Sequence, residues 1–328
     1  MSGQAGAPRA RYFSKEPKES LLIRFSTAAR KYWFIYLLAI PGLLFLLVFS
    51  YAPMYGVVLA FKDFKMNLGV MGSPWVGLYH YQELFADPAF IQAFKNTVII
   101  NIYNLIFGFT FNVFLALMIN ELQMKRLKSV VQTCVYLPYF LSWVIFAGLV
   151  QVFLQAPVPG DVGGVVNQVI QAMGGEPIDF MKRPEMFRGI LVITNIIKTA
   201  GYSTIIYLAA VAGVDPALYE AASIDGANRR DMLLHITIPR ILPSVAVMFL
   251  LSISQLFLSN FDQVYNLYNN FVLNTGDVLS TYIYRISLGG GGEFELSTAA
   301  NLLLNVMGLI ALVVTNRFVK KLDVMGIF

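Results

Sequence analysis

Residues Glu220–Pro239 read EAASIDGANRRDMLLHITIP, a polar and small-residue stretch between two strongly apolar segments. The dipeptide Asp215-Pro216 lies just before it. Aspartate accepts hydrogen bonds from free backbone N–H groups at a helix start, and proline is tolerated at the first helical position. The sequence therefore predicts a short helix over about 216–223.

A second helix is expected after a tight turn. Gly226 supplies the backbone freedom that such a turn needs, and Asp225 is the expected cap of a helix over about 227–236 that Pro239 ends. Residues 215–239, which we call the polar loop, are thus predicted to form a helix-turn-helix protrusion. Its tip carries small side chains that would let another protein's surface come close.

The segments around the polar loop indicate a membrane protein. Of 328 residues, 57% are hydrophobic and 13% are charged, about half the charge of an ordinary soluble domain. A helix needs about twenty apolar residues to cross the hydrocarbon core. Six stretches qualify, which makes the chain an all-α polytopic membrane protein with six predicted spans: about 32–61, 95–119, 130–154, 187–212, 241–260 and 299–316.

The N-terminal region is expected to lie outside this transmembrane domain of residues 32–328. Residues 1–31 are predicted to form a cytoplasmic tail followed by a short interfacial helix. The first apolar stretch is too long for a signal-peptide core and lacks a small-residue cleavage site, so we expect it to be an uncleaved anchor.

The basic residues indicate how the spans are oriented. With a cytoplasmic N-terminus, 16 of the 24 lysines and arginines fall on the cytoplasmic side, and most acidic residues fall outside. This bias follows the positive-inside rule and predicts that both termini are cytoplasmic. The net charge of +5 thus reflects topology, and the expected surroundings are membrane lipid, with no nucleic acid.

The chain shows no catalytic, nucleotide or metal motif. Gly289–Gly292 are followed by Glu293, whereas a phosphate-binding loop requires lysine and then serine or threonine. His80 and His235 fall on opposite membrane faces, and Cys134 is the single cysteine. We therefore expect neither an enzyme nor a cofactor in this chain.

The polar loop carries the most specific pattern. It matches Glu-Ala-Ala, three residues, Gly, nine residues, Ile, one residue and Leu-Pro, with Ile238 replacing leucine. This pattern resembles the loop of permease subunits in binding-protein-dependent ABC importers of the type I, MetI-like fold. In that family the loop forms coupling helices that dock on the ATP-hydrolysing subunit. The resemblance assigns coupling to Glu220, Ala221, Ala222, Asp225, Gly226, Ala227 and Arg229.

Other segments are similar to carbohydrate-importing members of the same family. They include WVGLYHYQELFADPAF (75–90) and EFELSTAANLLLNVMGLIALVVTNRFVKKL (293–322), and the oligosaccharide subgroup that includes alginate importers is the nearest. The resemblance implies half of an import pathway in the bacterial inner membrane. It also implies the partners: a homologous second permease, two ATP-binding subunits holding ATP and Mg²⁺, and an extracytoplasmic solute-binding protein.

Polar residues inside the spans are the candidates for contact with substrate. Lys198 is the one ionisable residue near mid-span, where an unpartnered charge is costly. The full set is Lys198, Asn195 and Tyr202 on the fourth span, Gln255 and Ser259 near the fifth (with Ser252), and Tyr139 and Trp143 on the third. Lys198 suits a carboxylated sugar; alternatively, it pairs with the second permease or with helix-end carbonyls.

Structural interpretations stay open for the other residues. Ser252, Gln255 and Ser259 could equally hold helices together, and Tyr139 and Trp143 could anchor the membrane interface. The alternative function is an ATP-independent secondary transporter or channel for a polar solute. Proton-coupled transporters usually place Asp, Glu or His inside the membrane, and no predicted span has one at its middle.

Overall fold

The computed structural model describes residues 31–258 and 260–321, with side chains as far as 317. All but the last residue of the predicted tail and interfacial helix, as well as Ser259, lie outside the described residues. Within the described ranges the regular structure is helical, and β-structure is limited to the isolated bridges Lys62–Trp75 and Val158–Asp161.

The chain divides into two compact units, Met1–Gly56 and Val57–Phe328. The described part of the first unit is one apolar helix. It consists of an α-helix, Trp33–Leu46, a π-helical turn, Leu47–Tyr51, and a further α-helical turn, Ala52–Met54. A 3-10 segment, Tyr55–Phe61, follows, and Trp33–Phe61, which we call span 1, is long enough to cross a membrane.

The second unit contains the other long apolar helices. Together with span 1, five helices are long and apolar enough to cross a membrane, and a bent pair of helices makes six when it is counted as one span. They are span 2 (Pro88–Glu121), the bent span 3 (Lys125–Phe140 and Trp143–Phe153), span 4 (Pro184–Ala212), span 5 (Arg229–Ser254) and span 6 (Phe294–Lys321). The predicted all-α, six-span fold class is confirmed.

Shorter helices connect the spans. Before span 2 lie Gly69–Gly72 and Tyr79–Ala86, and before span 4 lie Val165–Ala172 and Phe180–Lys182. Pro216–Ile224 belongs to the polar loop, while Phe261–Leu267, Leu273–Gly276 and Leu279–Ser287 connect spans 5 and 6. As in span 1, π-helical turns interrupt two further spans: Asn104–Phe109 in span 2 and Leu233–Thr237 in span 5.

Span 3 is broken, whereas the sequence predicted a continuous helix over 130–154. Its two halves meet at an angle of 108°. Pro138 lies in the last turn of the first half, Leu141 is extended, and the Ser142 side chain caps the second half by accepting from the Ile145 N–H. A proline near the end of one helix and a serine cap for the next give the break a local cause.

Span 5 also differs from its predicted range of 241–260. It begins at Arg229 and ends at Ser254, so Pro239 does not end a helix. Pro239 lies in the first turn of Ile238–Ser254, directly after the π-helical turn. A proline removes one backbone donor, and a π-helical turn already changes the hydrogen-bond register there, so the helix continues through it.

Span 4 is the most buried of the five spans that are single helices. Near its start, Phe187 and Leu191 pack with Ile100 of span 2 and with Val264 and Leu267. Near its end, Val211 packs with Val214 and Ile241 beside the polar loop. The connections before spans 2, 4 and 6 lie at the end of the spans that is away from the polar loop. There the Thr275 hydroxyl, in the connection before span 6, donates to the carbonyl of Pro184 at the start of span 4. We call this the opposite end.

Candidate functional site

The polar loop is a rigid pair of helical segments. The first helix, Pro216–Ile224, begins as expected, because an Asp215 carboxylate oxygen accepts from the Ala217 N–H at 2.9 Å. Gly226 has a φ of +79°, a left-handed conformation that favours glycine. The predicted turn and its glycine are therefore present.

The second helical segment is capped by a residue other than the predicted Asp225. Asn228 accepts from the N–H groups of Arg230 and Asp231, and the Asp231 carboxylate accepts from the Asn228 N–H at 3.1 Å. This reciprocal arrangement is a capping box. The helix starts at Arg229, two residues later than expected, because Asn228 has a partner at the third helical position.

A side-chain contact ties the two segments of the polar loop together. The Tyr219 and Thr237 hydroxyls lie 2.9 Å apart, and Thr237 is almost completely buried. Leu218, Tyr219 and Ile236 pack on the Val211, Val214 and Ile241 cluster. The loop is thus continuous in packing with spans 4 and 5, so a push on its tip reaches both helices.

The tip of the loop presents the residues predicted from the sequence. Glu220, Ala221, Asp225, Gly226 and Arg229 are exposed, and Ala222 and Ala227 are half-buried. Sequence reasoning missed Ile224, whose exposed fraction is 87%. Ile224 lies beside the small side chains of the tip and adds an apolar group to the surface that they form.

A cavity of about 420 Å³ lies between spans 2, 4 and 5 and the segment after span 5. Seven side-chain amides line it, together with hydroxyls that include Ser252: Asn101, Asn104, Asn112, Asn195, Gln255, Asn260 and Gln263. None of the described lining residues is charged. We call this the amide cavity; neutral donors and acceptors of this kind suit a ligand with many hydroxyl groups.

Several of these amides are held in place by other protein groups. Asn101 donates to the Leu256 and Leu258 carbonyls, and Asn195 donates to the Asn104 side-chain oxygen at 3.2 Å. The side-chain oxygen of Asn112 is buried and has no hydrogen-bond partner among the described residues. A buried polar atom without a partner is costly.

Five of these seven amides were not predicted from the sequence: three lie on span 2, and Asn260 and Gln263 follow span 5. Asn101, Asn104, Gly108 and Asn112 follow a helical spacing of three and four residues and share one face. The π-helical turn Asn104–Phe109 lies in the middle of that face. Such turns are frequent at functional sites. The spacing of the three asparagines is the sequence signal from which this polar face could have been predicted.

Lys198 lies apart from the amide cavity, at the break in span 3. Its Nζ lies 3.2 Å from the Pro138 carbonyl, 3.2 Å from the Tyr139 carbonyl and 2.5 Å from the Leu141 carbonyl. These carbonyls end the first half of span 3, where the helix dipole favours a cation. The contact is of the helix-end type that the sequence left open as an alternative to substrate binding.

The aromatic candidates also gather at this break. Tyr139 and Tyr202 stack with their ring centres 5.0 Å apart, and the Lys198 Nζ lies 5.2 Å from the Trp143 ring centre. Of the residues predicted to contact substrate, Asn195 and Gln255 thus line the amide cavity. Lys198, Tyr139, Trp143 and Tyr202 form a separate cluster that joins spans 3 and 4.

Comparison with known proteins decides the family. Residues 108–324 match the family model described as binding-protein-dependent transport system inner membrane component. The chain belongs to this family. The permease is therefore the membrane-spanning component of a transport system and not an enzyme, as predicted.

Relatives match at least two thirds of the permease. The polygalacturonan/rhamnogalacturonan transport system permease protein YteP of Bacillus subtilis is 40% identical over 99% of this chain and 98% of its own. The lactose transport system permease protein LacF of Rhizobium radiobacter is 30% identical over 69% of this chain and 74% of its own.

A solved structure has the same fold. It is the crystal structure of a bacterial alginate ABC transporter in complex with an alginate pentasaccharide-bound periplasmic protein. One chain is 37% identical to the permease, with a TM-score of 0.83 over 93% of the permease and all of that chain. The predicted MetI-like permease fold is confirmed.

Proposed function

We propose that the permease forms half of the path by which an acidic oligosaccharide enters a bacterial cell, driven by ATP hydrolysis in two separate subunits. The amide cavity is the observation that supports this function best. Its seven amides offer neutral hydrogen-bonding groups to a hydroxyl-rich ligand, at a position enclosed by spans 2, 4 and 5.

The sugar class is supported by the chemistry of the relatives' substrates. Two of the similar transporters are named for polygalacturonan and for alginate. Both polysaccharides are built of uronic acid units, and each unit carries a carboxylate. The alginate protein is described as importing an acidic polysaccharide. A short chain of hexuronate units is thus the substrate that we propose.

The polar loop is the proposed site of coupling. Its two segments are fixed to each other by Tyr219 and Thr237 and packed on spans 4 and 5, as a force-transmitting element needs. Closure of two ATPases, each holding ATP and Mg²⁺, would displace the loop. Rigid-body movement of the packed spans then alternates access to the amide cavity.

The arrangement in the membrane completes the proposal. A homologous second permease supplies the other half of the path, and an extracytoplasmic binding protein delivers the sugar to the opposite end. Both termini and the polar loop lie in the cytoplasm, where most of the basic residues fall.

Uptake by the isolated complex tests this function. The permease is purified with its partners through an affinity tag and reconstituted in proteoliposomes with the loaded binding protein. We expect uptake of trigalacturonate to require ATP and Mg²⁺. Uptake that proceeds without nucleotide would instead support a secondary transporter or channel.

A further inference from the structure

A second pocket lies at the opposite end of the permease. It encloses about 790 Å³ and is open to the surroundings. The residues that matter here are Gln92, Tyr265, Tyr268, Asn269, Asn274 and Arg285. We call it the entrance pocket.

The entrance pocket and the amide cavity are bordered by the same three segments. On span 2, Gln92 lines the pocket and Ile100 lines the cavity, a separation of about 12 Å along a helix. In the helix Phe261–Leu267, Tyr265 lines the pocket while Gln263 lines the cavity. In the third segment, Asp277 lines the pocket and the next residue, Val278, lines the cavity. The two spaces are therefore neighbours along the direction of the spans.

The walls of the entrance pocket combine aromatic rings with amides. The Tyr265 ring lies 5.0 Å from Phe261, 5.3 Å from Tyr284 and 6.1 Å from Tyr268, measured between ring centres. These contacts fix the ring orientation. A rigid aromatic surface beside amide donors suits a pyranose ring, which has apolar C–H faces and a polar hydroxyl edge.

The network below the pocket is built from hydrogen bonds between distant segments. Asn96 donates to the Asn274 and Asp277 carbonyls at 3.1 and 2.8 Å, and Arg188 donates to the Asn96 side-chain oxygen at 2.7 Å. Gln92 also donates to the Asn274 carbonyl, at 2.7 Å. The pocket wall is thus held in position by spans 2 and 4.

Arg285 supplies a cation on the pocket wall. Its two terminal nitrogens contact the two Asp277 carboxylate oxygens at 3.1 and 2.7 Å, and the Thr281 hydroxyl donates to the same carboxylate at 2.8 Å. The Asp277 side chain is only 10% exposed, whereas that of Arg285 is 42% exposed. The carboxylate is sheltered, and the guanidinium, which has five N–H donors, remains accessible to a further acceptor.

Charge is distributed unevenly along the path. The amide cavity has no charged group among its described lining residues, and the nearby Lys198 is engaged by three carbonyls. Arg285 is the one cation among the described residues lining the two spaces. Hydrogen bonding to Asp277 raises the pKa of Arg285, so its charge is retained at all physiological pH values.

We propose that the entrance pocket recognises a hexuronate unit of the substrate before it enters the membrane, with Arg285 contacting the carboxylate and Tyr265 contacting the sugar ring. This inference rests on the proposed function. Two tasks are then separate: the entrance pocket selects the acidic sugar, and the neutral amide cavity conducts the selected sugar chain across the membrane. Weak, neutral contacts inside the path favour release as well as entry.

Paired substrates and a charge-neutral double variant test the proposal. Asp277→Asn with Arg285→Gln removes both charges while retaining side chains that can hydrogen-bond to each other. Uptake of trigalacturonate is compared with uptake of its fully methyl-esterified form by the reconstituted complex. We expect the acid-to-ester uptake ratio to fall about tenfold, the loss of one charge-assisted contact.

The single variant Arg285→Gln gives an independent reading. It leaves the Asp277 carboxylate without its counter-ion, so the acid-to-ester ratio is expected to fall below that of the double variant. The single variant decides the question if the double variant fails to assemble. Lys182→Gln is the matched control, because Lys182 is an exposed cation paired with Asp179 that does not line the pocket.

The outcomes separate the two levels of the proposal. If the wild-type complex takes up neither sugar with ATP, the proposed function is overturned and this inference with it. If wild-type uptake is ATP-driven and the ratio is unchanged in the Arg285 variants, only the entrance pocket is overturned. If the acid-to-ester uptake ratio fell as much in Lys182→Gln as in the Arg285 variants, recognition at the entrance pocket would also be contradicted.

Discussion

At the scale of single residues, Gly226 controls the geometry of the polar loop. Its φ of +79° is strained for any residue with a branched side chain, although a Cβ there would meet no atom within 4 Å. Gly226→Val is expected to distort the turn at a cost of about 1–3 kcal/mol. We predict that uptake falls at least about tenfold while the partner subunits still hydrolyse ATP, measured in parallel in proteoliposomes.

Gly174→Val is the control for this prediction. Gly174 has a φ of +84°, lies in equally open space and belongs to the connection before span 4, at the opposite end. The backbone strain is therefore matched, but the position is remote from the polar loop. Equal loss of uptake in both variants would argue against a coupling role for Gly226.

Lys198 provides a second prediction at this scale. Lys198→Met leaves the Pro138, Tyr139 and Leu141 carbonyls without their shared donor, so we expect the break in span 3 to be destabilised. The thermal midpoint of the complex should fall by at least about 3 °C. Uptake of trigalacturonate and of its methyl ester should fall by the same factor.

Ile197→Met is the matched control, since Ile197 is its half-exposed apolar neighbour on span 4. It should leave the thermal midpoint unchanged. A selective loss of acidic sugar uptake in Lys198→Met, at an unchanged midpoint, would instead place Lys198 among the substrate-contacting residues.

At the scale of helices, close packing of span 4 on span 3 depends on Gly201. A Cβ at Gly201 would lie 2.7 Å from both the Tyr136 Cα and the Val135 carbonyl oxygen, so the backbones would have to separate. We predict that Gly201→Ala destabilises the complex by about 1–3 kcal/mol, measured by thermal unfolding. Gly189→Ala on the same helix meets no atom within 4 Å and should be nearly neutral.

Helices were predictable where a local signal decides the structure. Asp215-Pro216 and Gly226 define the first helix and the turn of the polar loop, and both formed as expected. The break in span 3 was missed because hydropathy is continuous through it, although Pro138 and Ser142 mark it. The entrance pocket depends on contacts such as Asn96 with Asp277, 181 residues apart in the chain, which no local pattern records.

At the scale of the whole molecule, the two ends of the permease have different chemistry. The polar loop presents small residues and the exposed Ile224, which suit a protein surface. The opposite end presents tyrosines, amides and Arg285, which suit a sugar. A directional importer requires this asymmetry, because substrate and driving force must be received on opposite faces of the membrane.

This asymmetry predicts the orientation of the permease, which single cysteines can measure. In a Cys134→Ser background, Lys182→Cys places a thiol at the opposite end and Arg230→Cys places one on the polar loop; both positions are exposed. A membrane-impermeant maleimide applied to spheroplasts should label the first and should label the second only after lysis. The background variant should remain unlabelled. The reverse pattern would put the entrance pocket in the cytoplasm and contradict import, because an incoming sugar would then meet Arg285 only after crossing the membrane.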